Sequence, residues 1–180
     1  MVSPGAHIFY IKWTADLRTE MLLNQAEGML RICPNSQSKL LGFAVEAAWI
    51  SGKWDILDNY LAKSNEHTES LYELRIGSAL SALRKHDEET FARVISSARE
   101  GNLNGLTESS TGSLRQCHDS MVKLHSLSEL EEISFAIKQE DFDRGVLASN
   151  LQHRLDLMGT YSKDKQHLLA LRRAAFQLSG

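Results

Sequence analysis

"EAAWISGKWDILDNYLA", residues 46–62, decides the fold. Two tryptophans, Trp49 and Trp54, flank the triplet Ser51-Gly52-Lys53. Upstream, Leu41, Val45, Ala48 and Trp49 fall on one side of a helix expected from about Ser38 to Ser51. Downstream, Trp54, Leu57, Tyr60 and Leu61 follow at three- and four-residue steps. Between the two, Gly52 can take the left-handed conformation that closes a helix at low cost. Asp55 and Asp58 sit early in the second helix, where carboxylates favour the positive end of the dipole. The stretch reads as the joint of a helical hairpin rather than as a ligand site. Trp49 closes one helix, Gly52 turns the chain and Trp54 opens the next, with the two indoles stapling the pair and Asp55 stabilising its start.

The same grammar extends outward. Residues Thr14–Ile32 carry Leu17, Met21, Leu22, Met29 and Leu30 at mostly helical spacing, and "CPNSQS" at 33–38 breaks them, because Pro34 biases Cys33 away from the helical region. After the polar segment "SNEHTES" at 64–70, Leu71, Leu74, Leu80 and Leu83 mark a helix over Ser70–His86. Its small residues Gly77, Ser78, Ala79, Ser81 and Ala82 let a neighbour approach closely. Phe91, Val94, Ile95 and Ala98 mark the next helix, Asp87–Glu100. "GNLNGLTESSTG" at 101–112 is the longest turn-rich segment. A long helix over Ser113–Lys138 then carries Leu114, Cys117, Met121, Leu124, Leu127 and Leu130. The connector "QEDFDRG" leads to a last pair, Val146–Met158 and Lys165–Leu178.

Composition agrees. Of 180 residues, 42% are apolar and 24% charged, and both prolines lie before Asn35. Strand-like alternation is scarce, so the expected fold is all-α. Hairpins recurring at roughly 30 residues are the mark of an α-solenoid, in which each pair buries its face on the next. The division expected is 1–37, an N-terminal helix and breaker, and 38–180, the helical-repeat segment. A net charge of −3 argues against wholesale nucleic-acid binding. No apolar run is long enough to span a membrane. Cys33 and Cys117 form no paired motif, and Cys117 falls on the apolar stripe, so a core thiol is expected.

The joint resembles the repeat of the FAT domain in phosphatidylinositol 3-kinase-related protein kinases, where helical pairs share an "AW-x-x-G-x-W-D-x-L" pattern. "MVKLHSLSELEE" at 121–132 and "LLALRRAAFQL" at 168–178 resemble segments of the ATR-type checkpoint kinases, of fungal type, in the same order. The resemblance covers about Leu40 to Leu178. It implies a tetratricopeptide- or HEAT-like segment of a very large nuclear serine/threonine kinase that signals DNA damage and stalled replication. It further implies partners within the same polypeptide, namely the kinase domain and flanking repeats, together with a dimer mate and the ATR-interacting subunit. ATP and Mg²⁺ would belong to the parent's kinase domain, and no cofactor to this chain.

The residues themselves carry no kinase set. "DFD" at 141–143 lacks the glycine of a metal-binding DFG, and "KHD" at 85–87 has no asparagine at the spacing a catalytic loop needs. Asp87 reads instead as a helix start. No phosphate-binding glycine loop occurs. His118 and His125 stand two helical turns apart, roughly 10 Å along the axis, too far to share one ion unaided, and His153 and His167 lie on separate helices. Arg172 and Arg173, with Lys163 and Lys165, give the last hairpin a basic side, read as a solvated face or as salt-bridge partners. Ser36-Gln37 has the form that ATR-type kinases modify, at a frequency close to chance. The alternative to a kinase segment is a free-standing tetratricopeptide-like adaptor, which should repeat polar, ligand-facing residues on its inner helices. Here those positions are mostly small or apolar.

Overall fold

The computed structural model describes residues 37–64, 71–108, 114–139 and 142–178, with Met21, Leu23, Asn24, Glu27 and Gly28. Over 37–178 they form α1 (Gln37–Ile50), α2 (Trp54–Leu61), α3 (Tyr72–Arg84), α4 (Glu88–Glu108), α5 (Leu114–Lys138), α6 (Arg144–Leu157) and α7 (Ser162–Gln177). The fold is all-α, built from the helical hairpins of an α-solenoid. It divides into two compact units at Gly77/Ser78.

In the first unit α1 packs on α2. Leu41, Val45, Ala48 and Trp49 are all buried, as are Leu57 and Tyr60. The first part of α3 closes on this pair at Gly77, where a Cβ would stand 2.5 Å from Val45 Cγ1 and 3.2 Å from Leu57 Cδ1. That approach is too tight for any side chain, which explains the glycine. In the second unit α5 is the hub, packing against α4, α6 and α7. Leu127, Leu130 and Ile133 of α5 are buried, with Leu168 and Leu171 of α7 and Leu147 and Leu151 of α6.

Two helix ends use one device. At Gly52 (φ +68) the amide donates to the Trp49 carbonyl and the Lys53 amide to the Ala48 carbonyl. At His86 (φ +54) the amide donates to Leu83 and the Asp87 amide to Ala82. Each is the paired closure in which a left-handed residue satisfies two otherwise orphaned carbonyls. Gly52 and His86 stand about 34 residues apart, one tetratricopeptide period.

The structure corrects three expectations. Helix α4 runs on through Gly101, Asn102 and Gly105 to Glu108 instead of yielding to a loop. The Asn102 amide donates to the Ser120 carbonyl of α5 at 2.9 Å, so tertiary packing outweighs weak local propensity. Cys117 is exposed, not a core thiol, and Met121 is exposed as well. Leu127 and Leu130 of the expected stripe are buried, and the buried face also takes in Val122, Ser126, Glu129 and Ile133. The apolar stripe read from sequence ignored these polar positions, which a helix flanked by three others also buries. Near the N-terminus, Leu23 is buried and Met21 is not. Pro34 and Ser36 of the breaker, the segment 65–70 and most of the first expected helix lie outside the described residues.

The corners give a test. A Cβ at Gly52 would meet nothing within 4 Å, so the cost of Gly52→Ala is conformational alone, about 1–2 kcal/mol. At His86 the same strain is already present, and His86→Gly should stabilise by up to about 1 kcal/mol. Urea unfolding of both variants checks the opposite signs. Equal or like-signed shifts would show that the two corners are not equivalent.

Candidate functional site at the joint and the polar seam

The four joint residues come together around the α1–α2 corner. Trp49 is 1% exposed and ends the buried face of α1. Trp54 is half-buried and opens α2. Lys53 precedes it without a side-chain cap, and Asp55 supplies the acidic residue of the first turn, where it favours the exposed amides electrostatically.

The concentrated chemistry lies elsewhere, on the faces of α5. Glu129 is wholly buried in mid-helix. Arg172 of α7 reaches it with both arms, Nε donating to Oε2 at 2.8 Å and Nη2 to Oε1 at 2.6 Å. The same Nη2 donates to the Leu151 carbonyl of α6 at 2.5 Å. One guanidinium therefore ties three helices, and its planar fork suits the two carboxylate oxygens as a lysine could not.

Two further pairs flank it. Glu132 accepts from Arg154 and, at 2.5 Å, from Asn150, both on α6. Glu131 accepts from Arg99 of α4, at 2.9 Å through Nη1, while Arg99 Nη2 also reaches Ser128 Oγ at 3.3 Å. Near the other end of α5, His118 Nε2 lies 2.8 Å from Asp164 Oδ2. A carboxylate can only accept, so this nitrogen carries the proton. The imidazole also lies against the Tyr161 ring, centroids 4.5 Å apart. Burial pushes the His125 imidazole below its ordinary value, Arg154 pushes it the same way, and Glu129 opposes both.

The sequence decoys have structural roles. Asp87 caps α4 by accepting from the Thr90 amide at 3.0 Å. That backbone bond, with the Thr90 hydroxyl second, holds its carboxyl below the usual range. Asp143 caps α6 through the Gly145 amide at 2.7 Å, and Phe142 sets its ring edge-on to Phe135 at 5.8 Å. Of the basic residues on the last hairpin, Arg172 is the salt-bridge partner that the sequence allowed. Among the described residues no three His, Cys, Asp or Glu side chains converge as metal ligands do. Sequence reasoning missed Glu129. Its signal was present in "LSELEE", where a carboxylate sits on the helix face that carries Val122, Ser126 and Ile133.

Two predictions arise from the seam. Glu129→Ala strands an arginine that is 11% exposed, at a cost of about 3–5 kcal/mol, whereas replacing both partners with Met should come out near neutral. A double-mutant cycle in urea measures this, and a small single-mutant loss would contradict it. For His125 the folded state disfavours the charged form, so its contribution is intact above about pH 6.5 and fades as pH falls through the depressed folded value. His125→Gln should flatten the fall of stability on acidification, read as unfolding midpoint against pH.

Comparison with known proteins locates the chain. The FAT domain profile matches residues 42–180. The chain is 25% identical over 181 residues to the serine/threonine-protein kinase ATR of Arabidopsis thaliana, covering 89% of this chain and 7% of that protein. Against ATR of Oryza sativa subsp. indica it is 25% identical over 178 residues, again 89% of this chain and 6% of the relative. The protein kinase rad3 of Schizosaccharomyces pombe is 26% identical over 147 residues, 78% of this chain and 6% of its own length. Plant and yeast relatives thus match at nearly equal identity, and the chain spans less than a tenth of each. The joint "AWISGKWDIL", the all-α hairpins and a profile match that runs from Gly42 to Gly180 make this chain a member of the FAT domain family.

Proposed function

We propose that this chain is a non-catalytic regulatory segment of an ATR-like serine/threonine kinase acting in DNA-damage and replication-checkpoint signalling. The observation that carries the proposal is the FAT profile match over 42–180, together with relatives that are themselves named as ATR and rad3 kinases. In this reading the segment works mechanically. Its helices grip the kinase domain and flanking repeats of the same polypeptide, and activators shift that grip by binding one arrangement better than another. The dimer mate, the ATR-interacting subunit and the nuclear location belong to the same proposal. So does the joint role of Trp49, Gly52, Trp54 and Asp55, which hold a hairpin and touch no substrate. The segment expected at 38–180 is the part that carries it.

The engagement of the α5 carboxylates by neighbouring helices supports this reading. Glu129, Glu131 and Glu132 are each engaged by an arginine of a neighbouring helix, so their charge is spent on tying helices and not offered to a ligand.

The experiment tags the native locus within this segment and sizes the product. A polypeptide more than ten times longer than this chain, as the coverage of the relatives implies, is the expected result. The purified 180-residue chain should show no protein kinase activity with ATP and Mg²⁺. A stable product of this chain's own size would favour the adaptor reading, and phosphorylation by the purified chain would overturn the regulatory one.

A further inference from the structure

The sequence contains a single Asn-Gly pair, Asn104-Gly105, and the structure sets it in the last turns of α4. Asn104 is exposed. Asparagine is among the chemically labile residues, and most labile before glycine, where no side chain hinders the next amide nitrogen from reaching the carboxamide carbon. Residues 101–105 hold two glycines and two asparagines, all weak helix formers. What keeps the segment helical is a tertiary contact, the Asn102 amide donating to the Ser120 carbonyl of α5 at 2.9 Å.

The helix is the brake on this chemistry. Within it the Gly105 amide is committed to the carbonyl four residues back, and the backbone turns that nitrogen away from the Asn104 side chain. Reaction has to wait for the end of α4 to open, and such local openings cost least in exposed terminal turns.

We propose that Asn104 is a site of spontaneous deamidation, and that the Asn102–Ser120 bond sets its rate by holding the end of α4 shut. In the open state the Gly105 nitrogen attacks Asn104 Cγ. The N–Cγ bond forms, the Cγ–Nδ2 bond breaks, and ammonia leaves with the glycine amide proton. Water then opens the cyclic imide at one of its two carbonyls, giving aspartate or isoaspartate. Either product puts a carboxylate at the negative end of the helix dipole. Isoaspartate also adds a methylene to the main chain, which the helical hydrogen-bond ladder does not accommodate. The modified end of α4 stays open, and the contact with Ser120 goes with it. Because the ammonia is lost, the α4–α5 contact records the age of the molecule.

The test uses the full-length protein purified from its native source. It is incubated at neutral pH, folded and in guanidinium chloride, and the tryptic peptide Glu100–Arg115 is followed by mass spectrometry. Asn102, which precedes Leu103, is the internal control. Conversion at Asn104 should outpace that at Asn102 and run slower in the folded protein than in denaturant. In Asn102→Ala it should rise about fivefold, the change in opening that the loss of one net hydrogen bond brings. Gly105→Ala, which favours the helix and hinders the nitrogen, should suppress it without threatening the fold. Conversion at Asn104 no faster than at Asn102 would overturn the proposal. So would equal rates in the folded and denatured protein, or a rate unmoved by Asn102→Ala.

Discussion

Glu129 is the constraint around which the second unit is arranged. A carboxylate with no exposed surface is tolerable only when a cation and further donors meet it. Arg172 meets it bidentately and then spends a third bond on the Leu151 carbonyl. The leucine-rich surroundings would accept several arrangements, since Leu127, Leu130, Leu168 and Leu171 are interchangeable in shape. The ion pair is not interchangeable. Rotating α7 so that Leu171 stands where Arg172 does, about 100° on a helix, would leave Glu129 buried without its cation. The apolar contacts supply cohesion, and the charge pair supplies register.

The first unit solves its register problem by shape. Gly77 admits α3 to within contact of Val45 and Leu57, and a Cβ there would push the helices apart. The Gly52 corner sets the chain direction in this unit and the His86 corner does so within the second, by the same backbone geometry, once with the residue suited to it and once with a strained one. A histidine at positive φ is uncommon but is one of the residue types that tolerates the left-handed region. The hairpin period is therefore carried by backbone hydrogen bonding, with side-chain identity as a secondary aid.

This difference explains what could be read in advance. The α1–α2 joint was legible because glycine, the flanking tryptophans and the three-four spacing are all local signals. The start of α2 and the existence of every described helix from α1 onward were legible for the same reason, while α6 begins at Arg144, inside the stretch expected to be connector. The His86 corner was located but its conformation was not, since histidine carries no strong turn signal. The continuation of α4 past Gly101 was hidden because local propensity argues against it, and the contact that favours it, Asn102 to Ser120, depends on a helix that comes later. The Glu129–Arg172 tie was hidden by distance along the chain. The face of Glu129 follows from its spacing to Val122, Ser126 and Ile133, but its partner Arg172 stands 43 residues away and only the packing of α7 reveals it.

The direction of the charges bears on function too. Three of four consecutive positions on α5, Glu129, Glu131 and Glu132, bond α7, α4 and α6 respectively. A load applied to any one of those helices is passed to α5 through a charge-assisted bond, and to the others through α5. Near the α5–α6 corner the unit presents a groove that Ile137, Phe142 and Phe176 line together with Gln139 and Arg144. In the function proposed above, such an element would act by where it holds its neighbours, its own glutamates being spent on ties between helices.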